Sequence, residues 1–156
     1  MSTEEQLLVR RIREGTVIDH IDAGKALLVL KALGITGKEG NVVTVAMNVP
    51  SIKLRKKDII KIEGRLLAAD ETNKIALIAP RATINIISEY KVKEKRRVDL
   101  PDRFVGVFNC PNPSCISNAE KSIASRIEVL DKEKQKLRCW YCGRMLEVNE
   151  LISSIY

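Results

Sequence analysis

The stretch Cys110-Pro111-Asn112-Pro113-Ser114-Cys115, followed after 23 residues by Cys139-Trp140-Tyr141-Cys142-Gly143, holds all four cysteines of a 156-residue chain. Each pair straddles a tight turn, and a hairpin between them brings the turns together. Four thiolates then aim at one point, the donor set of a tetrahedral structural zinc site. Gly143 behind the second pair is free to take positive φ, whereas the first pair spans a longer, four-residue gap. Four sulfurs leave no open coordination position, so the ion is expected to hold structure and do no chemistry. The expectation is one structural Zn2+ per chain on Cys110, Cys115, Cys139 and Cys142. Disulfides or a redox pair are the alternatives. Residues 1–6 are polar and acidic with no apolar core behind them, which predicts a reducing, cytoplasmic setting where such pairs bind metal. A redox Cys-x-x-Cys would leave the other pair unexplained.

Working outward, hydrophobic residues make up 45% of the chain and aromatics only 4%, so the core is expected to be aliphatic. No apolar run approaches the roughly 20 residues needed to cross a bilayer, so no membrane partner is expected. The net charge of +7 favours an anionic partner: a nucleotide, a nucleic acid or an acidic protein face. A solvated surface rich in Lys, Arg and Glu is the plainer explanation of the same charge.

Residues 7–13 are too few to choose between strand and helix. Thr16, Val17, Ile18 and Ile21 read as a strand over 15–21. Asp22 is placed to cap a helix over 24–33, where Ala26, Leu27, Leu30 and Leu33 recur at helical spacing and Gly34 stops it. Residues 41–49 are β-branched and read as a strand. Residues 50–57 read as a basic loop containing Lys53, Arg55, Lys56 and Lys57. The next strand, 58–63, sets Ile60 and Ile62 on one face and Ile59, Lys61 and Glu63 on the other. Asp70 is placed to cap a short helix carrying Ile75, Leu77 and Ile78, which Pro80 ends. Residues 82–87 read as a fourth strand. The order is βαββαβ, the ferredoxin-like arrangement, with one sheet against two helices and its other face free. Residues 90–97 alternate weakly and are strongly basic. Val98 to Pro101 marks a boundary between domains over 1–98 and 102–156. In the second, a strand over 104–108, a hairpin of 126–130 with 136–139, a strand over 145–148 and a short helix-compatible tail predict a small all-β unit. The fold class is therefore α+β.

His20 is the only histidine. With the cysteines committed to metal it has no nucleophile to activate, and a lone histidine is more often structural. Together, though, Asp19, His20, Lys61 and Lys95 offer cations suited to phosphates and a carboxylate suited to ribose hydroxyls. Asp19 and His20 point to opposite faces of a regular strand, so one ligand can use both only at a strand end or bulge. Neither standard glycine-rich phosphate loop is present.

The motifs Gly15-Thr16-Val17-Ile18-Asp19-His20-Ile21, Arg55-Lys56-Lys57-Asp58-Ile59-Ile60-Lys61-Ile62-Glu63 and Ala79-Pro80-Arg81-Ala82-Thr83-Ile84-Asn85, followed by Cys-Pro-Asn with the four-cysteine spacing, occur in this order. From about Val9 to its end, the sequence closely resembles the regulatory chain of aspartate carbamoyltransferase, of pyrimidine biosynthesis. The resemblance implies a chain with no catalytic activity of its own. It implies an N-terminal domain that binds nucleoside triphosphates (CTP as inhibitor, ATP as activator, UTP assisting in some members). It further implies a zinc domain that docks on the catalytic chain, and regulatory dimers that bridge two catalytic trimers. By the same resemblance Asp19 and Lys61 would contact ribose and base, and His20 and Lys95 would face the phosphates. Val9, Ile12, Val17, Asn85, Ile87, Tyr90 and Val92 would line the pocket, with backbone groups near Ile12 and Tyr90 reading the base. Either Trp140 packs over the sulfurs, or the two loops, Pro111 to Ser114 and Trp140 with Tyr141, form the docking surface for the catalytic chain. Nucleic acid is not expected as a partner. Stacking platforms need aromatics among the basic residues, and the first domain has Tyr90 alone.

Overall fold

The computed structural model describes residues 11–153, and the chain divides between Asp99 and Leu100 into two units. The first contains β1 (Gly15–Asp22), α1 (Ala26–Ala32), β2 (Val43–Ser51), β3 (Arg55–Glu63), α2 (Ala69–Ile78), β4 (Thr83–Ser88) and β5 (Lys91–Arg97). Its sheet runs β2-β3-β1-β4-β5, with every neighbouring pair antiparallel. Strands β2-β3-β1-β4 are the ferredoxin-like order, made by two interleaved split βαβ units. Each crossover helix joins strands that are separated by one strand of the other unit.

One face of the sheet carries Thr16, Ile18, Ile60, Ile62 and Ile84, all at or near zero exposure. Buried with them are Ala26, Val29 and Ala32 of α1 and Ile75 to Ile78 of α2. Each isoleucine sealed in this way contributes about 1.5–3 kcal/mol, as an upper estimate. Gly15 opens β1 at φ 138, and a Cβ there would lie 2.1 Å from the Ile62 carbonyl oxygen. Only glycine allows β1 and β3 to approach so closely.

In the first unit the observed elements differ from the sequence reading most at four places. Asp22 does not cap α1: the N-cap is Lys25, and no side chain bonds from it to the helix. Buried Asp58 instead accepts the Gly24 and Ala26 N–H groups, at 2.9 and 3.0 Å. Asp22 pairs with Arg81 and Lys25. At α2 the N-cap is Ala68, whose N–H donates to Glu71 at 3.1 Å, while Asp70 lies in the first turn. The expected basic loop over 50–57 is largely strand, since β2 and β3 extend to a turn at Ile52, Lys53 and Leu54. Finally, 91–97 forms a fifth strand, β5, joined to β4 through Glu89 and Tyr90, both at positive φ (50 and 66). This is the signature of a tight primed turn.

The second unit contains β6 (Arg103–Val105), α3 (Ile116–Ala119), β7 (Arg126–Asp131), β8 (Lys136–Cys139), β9 (Met145–Leu146) and α4 (Val148–Ser153). Its antiparallel sheet runs β6-β7-β8-β9. The hairpin β7–β8 forms where expected; the strand expected over 104–108 shortens to β6, and α3 is additional. Phe104 and Phe108 meet edge to face at 5.1 Å and are buried, as are Ile127, Leu137, Leu146 and Leu151. Among the described residues no helix is long and apolar enough to cross a membrane.

Candidate functional site

The cysteines come together as their spacing predicts. All four Sγ atoms lie within 4.8 Å of one another. Cys110 and Cys142 are 3.7 Å apart, as are Cys115 and Cys139. Zn–S bonds of about 2.3 Å at the tetrahedral angle place sulfurs about 3.8 Å apart, whereas a disulfide needs about 2.05 Å. The donor set and its spacing therefore fit a tetrahedral thiolate metal. The second turn is built by two backbone bonds, Cys139 N–H to the Arg144 carbonyl (3.0 Å) and Gly143 N–H to the Cys139 carbonyl (2.9 Å). Gly143 takes φ 74. The longer first loop is held by Asn118 of α3, whose Nδ2 donates to the Cys110 and Asn112 carbonyls, both at 2.8 Å. Asn118 was not singled out in the sequence, because its role depends on the short helix after Cys115.

Burial pushes the Cys110 thiol up to about 12 and raises Cys139 as well. The Arg144 N–H holds exposed Cys142 down at about 7. Metal binding must therefore drive protons off the buried thiols, which couples ion affinity to pH. Trp140 is 53% exposed, with the Arg126 guanidinium 4.7 Å from its ring centroid. It is not a lid sealed over the sulfurs. Tyr141 is tied by its hydroxyl to the Ala124 carbonyl at 3.0 Å.

In the first unit, the strand register lines up predicted residues across the sheet. Lys61 pairs with Val17, Val17 with Asn85, and Asn85 with Lys95. Directly opposed residues share a face, so this row crosses β3, β1, β4 and β5 on the side away from the isoleucine core. Two residues along, Asp19 pairs with Thr83. There the register slips from Ile18↔Ile60 to Ile21↔Asp58. Asp19 and His20 together oppose Ile59 alone, and His20 adopts φ 56. This is a β-bulge, one of the two settings in which Asp19 and His20 can face the same side. His20 Nδ1 lies 3.1 Å from Thr83 Oγ1 and 3.9 Å from Asp19 Oδ1.

The electrostatics of this face centre on Asp19. Lys57 Nζ lies 3.0 Å from its Oδ1 and donates to Oδ2 at 3.3 Å. Lys61 is only 8% exposed, and burial lowers its pKa against the pull of Asp19. Burial also lowers His20; Asp19 opposes the shift, and Lys57, Lys53 and Lys95 reinforce it. An unprotonated imidazole and several lysines thus surround one carboxylate, and an arriving polyanion would find positive potential with little charge of its own kind to displace. Asn85 Nδ2 donates to the Val17 carbonyl at 3.3 Å, within the row.

Ile12 and Ile87 are buried, while Tyr90 and Val92 are more than half exposed at the β4–β5 turn. The Tyr90 N–H donates to the Arg13 carbonyl at 3.1 Å, tying that turn to the segment carrying Ile12. That N–H is therefore engaged within the protein. Val9 lies outside the described residues. Two neighbours went unnoticed in the sequence. Lys57 was grouped with the supposed loop. Thr83 carried a usable signal, standing two residues before Asn85 on the same strand face.

A family model described as the aspartate carbamoyltransferase regulatory chain, allosteric domain, matches residues 7–99. A second, for the metal binding domain of the same chain, matches residues 102–152. Relatives carrying the name aspartate carbamoyltransferase regulatory chain are similar over nearly their whole length. The one from Nitrosopumilus maritimus is 55% identical over 148 residues, covering 95% of this chain and 97% of its own. The one from Hyperthermus butylicus is 53% identical over 156 residues, covering 99% and 98%. The one from Methanothrix thermoacetophila is 59% identical over 143 residues, covering 92% and 93%.

Proposed function

This chain belongs to the family of aspartate carbamoyltransferase regulatory chains, and we propose that it binds nucleoside triphosphates on the face of its first sheet turned away from the helices and transmits their occupancy to a catalytic chain. It is a regulatory and not a catalytic subunit, with an allosteric domain followed by a metal-binding domain. The observation that carries the nucleotide reading is the row Lys61, Val17, Asn85 and Lys95, with Asp19 and His20 turned toward it by the bulge. Lys61 and Asp19 serve base and ribose; His20 and Lys95 serve the phosphates. Val17, Asn85, Ile87, Ile12, Tyr90, Val92 and Val9 border the base. CTP and ATP compete for this one site, with UTP a further ligand.

The ion on the four cysteines is Zn2+. Bound, it supplies folding energy to the second unit, which docks on the catalytic chain. Regulatory chains pair, and each pair bridges two catalytic trimers. A nucleotide can shift the catalytic chain only if it binds two states of the assembly with different affinity. The coupling is then reciprocal, so a catalytic-site ligand changes nucleotide affinity by the same factor.

The test is calorimetric titration with CTP and ATP, followed by reconstitution with the catalytic chain. Lys61→Ala removes a charged donor worth about 1.5–3 kcal/mol, or roughly ten- to a hundredfold in CTP affinity. Unchanged CTP affinity in that variant removes Lys61 from the site. An intact chain that neither associates with catalytic trimers nor alters their nucleotide response defeats the reading.

A further inference from the structure

At the end of the first sheet, a cleft of about 400 Å³ is lined by Asp22, Ala23, Leu54, Arg55, Lys56 and Arg81. It shares no residue with the proposed nucleotide contacts. Three cationic residues and one acidic residue line it, and Asp22 is already paired with Arg81 and Lys25. A guanidinium carries five N–H donors, so Arg81 has donors beyond the one that reaches Asp22.

The backbone at Arg55 is unusual. Ser51 and Arg55 close the β2–β3 turn. The Lys56 N–H donates back to the Leu54 carbonyl at 2.8 Å, and Arg55 between them sits at φ 67. A bond from residue i+2 to i around a central residue of positive φ is the strained form of the γ-turn. At that position glycine is relieved of strain and a long side chain is not. Strain of this kind persists where the surrounding structure overdetermines it, and it clusters at ligand clamps. Here it falls at an arginine lining a cleft whose border also includes a second arginine and a lysine.

We propose that this cleft binds a phosphate oxyanion, with Arg55 and Arg81 as forked donors and Lys56 as a point charge. Planar guanidinium forks match phosphate oxygens two at a time. The oxyanion is either free inorganic phosphate or the terminal phosphate of a nucleotide lying on the sheet face. The cleft does not depend on the nucleotide reading, since inorganic phosphate probes it alone.

The test is titration calorimetry of the full, metal-loaded chain with inorganic phosphate, pyrophosphate, CTP and CMP at fixed salt. The chains compared are wild type, Arg55→Gly and Arg81→Gln, with Lys61→Ala as the control for the sheet face. Arg55→Gly is expected to raise the thermal midpoint, because the strain disappears, and yet to weaken oxyanion binding roughly tenfold. Arg81→Gln should weaken it similarly. If phosphate binding weakens while CTP and CMP are unaffected, the ligand is the free ion. If CTP weakens and CMP does not, it is the nucleotide's terminal phosphate. Lys61→Ala should leave inorganic phosphate binding untouched. The proposal fails if no probe binds the wild type, or if every probe binds Arg55→Gly and Arg81→Gln as tightly as wild type.

Discussion

Replacing Asp58 by Asn should cost the first unit far more than one changed atom implies. Asp58 is fully buried on β3. Its Oδ2 accepts the Gly24 and Ala26 N–H groups at 2.9 and 3.0 Å, and its Oδ1 accepts the Asn48 N–H at 2.9 Å. Asn48 sits at φ 60 where the β2–β3 register slips between Ala46 and Val49. One carboxylate therefore fixes both the entry to α1 and the bulge in β2. In Asp58→Asn one acceptor becomes an NH2 group, and however the amide is turned, at least one N–H meets another donor. Each orphaned buried donor costs about 1–3 kcal/mol, so Asp58→Asn should lose about 2 kcal/mol. That corresponds to a fall of roughly 10 °C in midpoint for a unit of this size. Asp58→Ala orphans three donors, about 3–9 kcal/mol, comparable with the whole stability of about 5–15 kcal/mol. Because the chain has two units, a single melting curve mixes two transitions. Calorimetry should therefore be joined to hydrogen exchange at the Gly24, Ala26 and Asn48 amides, which report this region alone. The reasoning is refuted if Asp58→Asn melts with wild type and those three amides keep their protection.

Other perturbations have equally definite outcomes. His20 is held below its ordinary 6.5 by burial, so the native state binds fewer protons than the unfolded state beneath that value. Stability should fall as pH drops below 6.5 toward the lowered native pKa, and His20→Gln should flatten that limb. An NMR titration placing His20 at or above 6.5 in the free chain overturns this. If its imidazole meets phosphate, nucleotide binding near neutral pH should take up protons, read as a dependence of binding heat on the buffer's ionisation heat. Cys142→Ser should lose the ion and unfold the second unit while the first persists, since structural-metal binding energy is folding energy; full metal occupancy by mass spectrometry would contradict the four-ligand site. Gly15→Ala drives a Cβ to 2.1 Å from the Ile62 carbonyl oxygen at φ 138, and should cost about 3 kcal/mol or more. A calorimetric midpoint within a degree or two of wild type would show that β1 and β3 can part there at little cost.

The parts of this chain that chemistry or alternation marks were legible in its sequence. Cysteine spacing located the metal cluster because four thiolates have few other uses together. The alternation of Ile60 and Ile62 against Lys61 separated a helix-facing side from the side that carries Lys61. Strand periodicity allowed a shared role for Asp19 and His20 only at a strand end or a bulge, and the register slips between Ile18 and Ile21. What escaped depends on long-range partners. β5 has no buried residue, so no hydrophobic pattern announces it; backbone pairing with β4 and the Glu89–Tyr90 turn create it. Lys56 and Lys57 looked like loop because charge obscured the strand. Asp22 and Asp70 were reasonable local caps, yet Asp58 and Glu71 took the work. For Asp58 the groups it bonds, at Gly24 and Ala26, lie on the far side of β2 in sequence, beyond the reach of local reasoning.

β5 also bears on how such a protein changes over generations. Its seven side chains are all exposed, so replacing one removes almost no packing and shifts stability within about ±0.5 kcal/mol. Yet Lys95 stands at the end of the row that begins at Lys61. A lineage can therefore try new side chains at this margin without risking the fold, while Lys61, Asn85 and Thr83, buried in the same sheet, are effectively frozen. If the row binds the proposed nucleotide, ligand preference should drift from the rim inward, with descendants alike at the centre of the sheet and divergent along its last strand.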